Sequence, residues 1–93
     1  MFTWINKQGV KSDKGFVVQS VGRFTIQYID KLKVISIEVE RGFLPNRRLC
    51  VNITKNAFEK WDDGTPILKE KQAEILQNFK EALKFQDIEV LVD

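Results

Sequence analysis

The feature that most constrains this chain is a change of period partway along it. Up to Thr54, short runs alternate apolar and polar residues, whereas from Leu68 the apolar residues fall at helical spacing. Strand and helix place side chains with periods of 2 and 3.6, so the two halves must build different elements. Lys33 to Glu40 is the clearest strand, with Ile35, Ile37 and Val39 on one face and Ser36, Glu38 and Glu40 on the other. Arg48 to Thr54 repeats it, with Leu49, Val51 and Ile53 inward and Arg48, Cys50 and Asn52 outward. Arg23 to Ile29 places Phe24, Ile26 and Tyr28 together; Phe16 to Val21 precedes it, and Val21-Gly22 reads as the tight hairpin between them. Phe2 to Asn6 is a further short strand.

From Leu68 onward, Leu68, Ile75, Leu76, Phe79, Ala82 and Leu83 form one apolar stripe opposite Lys71, Glu74, Asn78 and Glu81. That spacing predicts a helix over about 68–84. Thr65 is the expected N-cap with Pro66 in the first turn, and an alternative start lies near Leu68. Ile88 to Val92 alternates once more. A single amphipathic helix must cover a sheet with an apolar face. The expected fold is therefore α+β: a mostly antiparallel sheet of five to six strands, the helix packed on one face, and a final strand after it.

A chain of 93 residues without internal repeats makes one domain, 1–93. Apolar runs of three or four residues predict no membrane span. Met1 to Asn6 lacks the basic and then apolar pattern of a secretory leader, and the single cysteine, Cys50, permits no intrachain disulfide. Both readings fit a protein of the reducing cytoplasm.

The chain has no histidine. This removes the commonest general acid–base, the commonest metal ligand and the usual activator of a Ser or Cys nucleophile. No nucleophile–base–orienter set can be assembled, and the glycines form neither a dinucleotide fingerprint nor a P-loop. No catalytic residue, metal ligand or cofactor is assigned, and the expectation is binding of another macromolecule rather than catalysis.

The candidate binding residues are charged. Glu38 and Glu40, about 7 Å apart by strand rise, form either a carboxylate pair or two solvated residues paired with Lys31, Lys33 or Arg48. Asp62 and Asp63 form an acidic turn before Gly64, since no Asp-rich metal loop follows. The segment Arg41-Gly42-Phe43-Leu44-Pro45-Asn46-Arg47-Arg48 reads as a long hairpin loop with three arginines and two large apolar residues, the composition of an interface hot spot. The same mixture suits single-stranded nucleic acid, and the alternative is that Phe43 and Leu44 close the core. Phe58 and Trp61, three apart, are expected to share a core-facing side of a short helical turn. Residues 1–48 carry a net charge of +5 and residues 49–93 a net of −3, which makes a two-signed surface unless folding intermixes the halves.

The run Asn52-Ile53-Thr54-Lys55-Asn56-Ala57-Phe58-Glu59-Lys60-Trp61-Asp62-Asp63-Gly64-Thr65-Pro66-Ile67, followed by Lys69 to Leu83, resembles the small immunity proteins of bacterial polymorphic toxin and contact-dependent growth inhibition systems. The shared pattern is a strand, a Trp-acidic turn, an isoleucine and a helix of the form Ile-x-x-x-Phe/Ile-x-x-Ala-Leu. It covers roughly residues 50–93. The resemblance implies a cytoplasmic antitoxin that binds one cognate toxin domain, a nuclease being one candidate, and blocks its active site or substrate groove. It transfers no functional residue. Two electrostatic routes then follow from the residues. An acidic face at Glu38, Glu40, Asp62 and Asp63 would fill a basic groove, or the loop with Arg41, Phe43, Leu44, Arg47 and Arg48 would enter an acidic cleft. A small nucleic-acid-binding domain using loop 41–48 is the alternative function.

Overall fold

The computed structural model describes residues 1–92. They form strands β1 (Phe2–Asn6), β2 (Gly9–Ser12), β3 (Phe16–Ser20), β4 (Thr25–Asp30), β5 (Lys33–Glu38), β6 (Glu40–Phe43) and β7 (Leu49–Ile53), helix α1 (Lys69–Phe85) and strand β8 (Ile88–Val92). The class is α+β as the pattern predicts, but the strands are shared between two sheets. The first five make an antiparallel meander, and β6-β7-β8 make a second sheet in which β8 runs parallel to β7. A parallel neighbour needs a crossover, and α1 supplies it.

The chain changes sheets at Val39. Its side chain stays in the core, 3 % exposed, and its N–H donates to the Phe24 carbonyl at 2.9 Å. Glu38 closes one ladder opposite Thr25 and Glu40 opens the next opposite Asn52. What reads as one strand from Lys33 to Glu40 is therefore the end of one sheet and the start of another.

The core takes Val10, Phe16, Val18, Ile26, Tyr28, Ile35 and Ile37 from the meander, Val51 and Ile53 from the second sheet, and Ile75, Phe79, Ala82 and Leu83 from the helix. Phe16 stacks on Tyr28 at 5.2 Å between centroids, and Phe58 meets Phe79 edge-on at 5.6 Å. Each such pair adds specificity beyond the area it buries. Asn78, assigned by periodicity to the solvated face, is instead 9 % exposed and donates from Nδ2 to the Tyr28 hydroxyl at 3.1 Å. Leu76, on the predicted stripe, is half-buried, and Leu68 is largely exposed.

The helix begins at Lys69, after an extended Leu68 without a side-chain cap, so the later of the two expected starts is the real one. Thr65 and Pro66 lie upstream in an extended segment where Pro66 bridges to Lys60. Phe58 is buried and Trp61 is half-buried against the core, as expected, but the segment is a series of turns and not the short helical turn expected. No helix among the described residues is long and apolar enough to cross a membrane.

Two three-residue loops share one hydrogen-bond pattern. In the β6–β7 connection, the Leu44 N–H donates to the Arg48 carbonyl, the Arg47 N–H to the Leu44 carbonyl, and the Arg48 N–H to Asn46 Oδ1. In the other, the Trp61 N–H donates to the Thr65 carbonyl, the Gly64 N–H to the Trp61 carbonyl, and the Thr65 N–H to Asp63 Oδ1. A tight turn closed by a left-handed residue is the standard solution at this length. The left-handed position is Gly64 (φ +90°) in one and Arg47 (φ +67°) in the other. Loop 41–48 is thus shorter than its sequence implies, because Arg41 to Phe43 belong to β6.

Candidate functional site

A cleft of about 670 Å³ lies where the two sheets part. It is lined by Phe24 and Thr25 from the β3–β4 end, Glu38, Val39, Glu40 and Arg41 from the sheet junction, and Asn52, Ile53 and Thr54 from β7. The backbone dictates this position. Val39 must turn inward to finish the core, so the residues on either side of it point out, and both are glutamates. Both carboxylates are exposed, and neither forms an ion pair among the described residues. The expected partners lie elsewhere: Lys33 and Arg48 pair with other acids, and Glu38 stands opposite Thr25 rather than a lysine. Beside the carboxylates Phe24 is 62 % exposed.

Phe24 was expected in the core beside Ile26 and Tyr28. The Val21-Gly22 turn is wider than the sequence suggests: Ser20 pairs with Ile26 and the Val21 N–H donates to the Thr25 carbonyl. Gly22, Arg23 and Phe24 are left as the loop, where strand alternation no longer decides which way a side chain faces.

The other candidate residues are dispersed, and most of their polar atoms are already engaged. Arg41 is a latch between the sheets: its Nε donates to the Arg23 carbonyl at 2.7 Å and its Nη2 to Ser20 Oγ at 3.1 Å and the Gly22 carbonyl at 3.5 Å. Arg48 pairs with Asp87 at 3.0 Å and lies 3.9 Å from Glu89. Asp62 closes the β5 edge. Its N–H donates to the Val34 carbonyl, and its carboxylate accepts from the Ser36 N–H at 2.8 Å and the Ser36 hydroxyl at 2.6 Å. Asp63 accepts from Lys33 Nζ at 2.5 Å. That bond, with those from the Thr65 hydroxyl and N–H, holds the Asp63 carboxyl well below the usual carboxylate range. Phe43 and Arg47 are exposed and Leu44 is half-buried.

The eight-residue Arg-rich loop is therefore not one surface. Nor do the four acids form one face, because Asp62 and Asp63 are bonded along β5 while Glu38 and Glu40 flank the cleft. Cys50, read as outward, is 5 % exposed. It stands at the centre of the three-stranded sheet between Gly42 and Glu89 in register. The separated charges of the two halves are intermixed, since Lys33–Asp63, Arg48–Asp87, Arg48–Glu89 and Lys71–Asp30 all join one half to the other.

Two smaller clefts are more basic. One, of about 380 Å³, is lined by Arg48, Lys80, Lys84 and the first part of β8. The other, of about 450 Å³, is lined by Lys7, Arg23 and Arg41 among others. No group of three or more metal-ligating side chains occurs among the described residues. Comparison with family models, curated proteins and solved structures gave no match.

Proposed function

We propose that this protein is a non-enzymatic immunity protein that neutralises a cognate bacterial toxin domain, and that it does so through the cleft at the sheet junction. The observation that carries the reading is the pairing of two exposed carboxylates, Glu38 and Glu40, free of ion pairs among the described residues, with an exposed aromatic ring, Phe24. Two fixed negative charges steer a basic groove toward the surface, and a desolvated aromatic side chain supplies the anchor that charge alone does not. A nuclease groove, built to hold phosphates, is a surface of that kind. The lack of histidine and the resemblance of residues 50–93 to immunity proteins support the same reading.

The nucleic-acid alternative rested on three arginines acting together. Arg41 and Arg48 are engaged in intramolecular bonds, which leaves Arg47 without such a bond among the described residues.

The test is co-expression with a toxin domain encoded by a neighbouring gene, read as growth rescue and as a complex surviving gel filtration. The expected result is rescue by the natural chain and loss of rescue on Glu38→Lys/Glu40→Lys, with Asp62 and Asp63 untouched. Failure of the natural chain to bind or to rescue removes the immunity reading. Full rescue by the charge-reversed variant removes the cleft.

A further inference from the structure

The two basic clefts meet at the turn between α1 and β8. Ile88, the first residue of β8, lines both of them. Lys7, Arg23 and Arg41 stand in one, and Arg48, Lys80 and Lys84 in the other. Lys80 and Lys84 are four apart on the helix and so share a face. The acids of the clefts and of the turn between them are Asp87 and Glu89, and both lie against Arg48. Arg41 is engaged as the latch between the sheets. Lys7, Arg23, Lys80 and Lys84 are exposed and enter no ion pair among the described residues. Six cations against two acids make this end more positive than the whole chain, whose net charge is +2. The positive field is therefore concentrated here. Aromatic rings adjoin it. Phe85, which precedes Gln86 of the Lys7 cleft, meets Phe2 at 5.6 Å and Trp4 at 5.8 Å between ring centroids. Phe2 is half-buried, but Trp4 is 50 % and Phe85 42 % exposed.

We propose that this end of the molecule binds single-stranded nucleic acid, with phosphates on Lys7, Arg23, Lys80 and Lys84 and a base stacked on Trp4. Two features select that occupant. The free cations are divided between two adjoining clefts, so a ligand must carry several negative charges along its length to reach them all. The rings then decide between polyanions. A base covers an exposed aromatic face, whereas the carboxylates of an acidic peptide neutralise the cations and leave the rings in water. A duplex keeps its base faces inside its own stack, so the single strand is the better fit. This surface is not loop 41–48, whose Arg41 and Arg48 hold the fold together. Nor does it use Glu38 and Glu40, which would repel a phosphate, so the proposal does not rest on the toxin-binding reading.

Fluorescence anisotropy of a labelled oligothymidylate of about 12 nucleotides, titrated with the full chain, is the test. The expected dissociation constant at low salt is on the order of 10 µM. With about four phosphates neutralised, the logarithm of affinity should fall with the logarithm of salt at a slope of about −3. Lys7→Gln/Arg23→Gln and Lys80→Gln/Lys84→Gln each remove two contacts, and each should weaken binding and make the slope shallower by roughly 1.4. Trp4→Ala should weaken binding by about tenfold and leave the slope unchanged, a split that separates stacking from charge. Circular dichroism checks the fold of each variant. Polyglutamate of equal charge is the comparison, and it should bind more weakly. No binding of the oligothymidylate by the natural chain at low salt overturns the proposal. A slope that neither double variant moves overturns the surface assigned. Equal affinity for polyglutamate overturns nucleic acid as the occupant and leaves the clefts to an acidic protein.

Discussion

The buried pair formed by Tyr28 and Asn78 joins the central meander to the helix and allows a sharp test of how this core is held. Tyr28 is fully buried and Asn78 is 9 % exposed, so neither group can turn to water when its partner is removed. Tyr28→Phe deletes the hydroxyl and leaves an Asn78 donor unpaired, at a cost of about 1–3 kcal/mol. Asn78→Leu leaves the Tyr28 hydroxyl without its partner in an apolar surrounding, at a similar cost. The double variant leaves no orphaned polar group, so it should cost less than the sum of the singles by roughly 1–2 kcal/mol. Urea denaturation followed by the fluorescence of Trp4 and Trp61 reads this directly, because a chain of this size has a slope of about 1 kcal/mol per molar. Strict additivity, or a neutral Tyr28→Phe, would falsify the view that the bond and not mere shape holds the pair. The same residue gives an alkaline signature. Burial pushes the Tyr28 hydroxyl above its ordinary 10.0, an effect that the Asn78 bond partly opposes. Its contribution to stability is therefore present below that pH and is lost as pH rises from it through the folded-state value. Tyr28 is the only tyrosine, so phenolate absorbance reports on it alone, and titration at the ordinary value would refute its burial.

Two further outcomes are expected. Because the Lys33 and Thr65 bonds depress the Asp63 carboxyl below 3.8, its stabilising share is complete above that pH and is lost as pH falls toward the folded-state value. Lys33→Met should return the Asp63 titration, followed by NMR, toward 3.8, and an unmoved titration counts against the ion pair. At the β6–β7 turn, Arg47→Gly gives the loop the residue that Gly64 already supplies in its twin, and should stabilise by up to about 1 kcal/mol. Thermal unfolding checks this, and a loss of stability would mean that the arginine side chain contributes more than its backbone strain costs.

The helix and most of the inward positions of the main strands were legible because burial follows period: Ile35, Ile37, Val39, Val51, Ile53, Phe79 and Leu83 are all buried, whereas Leu49, expected inward at the start of β7, is 47 % exposed. What was not legible depends on partners distant in sequence. β2, with Gly9, Lys11 and Ser12 around a single apolar Val10, has no strand signature, and it is a strand because β1 and β3 hydrogen-bond to it on both sides. Asn78 lies off the helical stripe and is drawn inward by the Tyr28 hydroxyl. The split into two sheets turns on Val39, whose alternation continues unbroken while its neighbours change ladders. Phe24 was misplaced by a turn three residues wide where two were expected, which altered the face of one residue and left Ile26 and Tyr28 correct.

The candidate site was half legible for a reason that concerns where backbone groups go unpaired. Loops and edges leave donors and acceptors that must be satisfied, and nearby polar side chains are recruited to do it. Asp62 answers the Ser36 N–H on an edge strand, Asp63 answers the Thr65 N–H in a tight loop, and Arg41 answers two carbonyls of the β3–β4 turn. Glu38 and Glu40 stand opposite Thr25 and Asn52, and among the described residues their carboxylates enter no ion pair. Function is usually sought on loops. In this fold Asp62, Asp63 and Arg41 are spent on architecture and Glu38 and Glu40 are not, so the surface these candidates leave open to a partner is the junction between the sheets, with the exposed ring of Phe24 beside it.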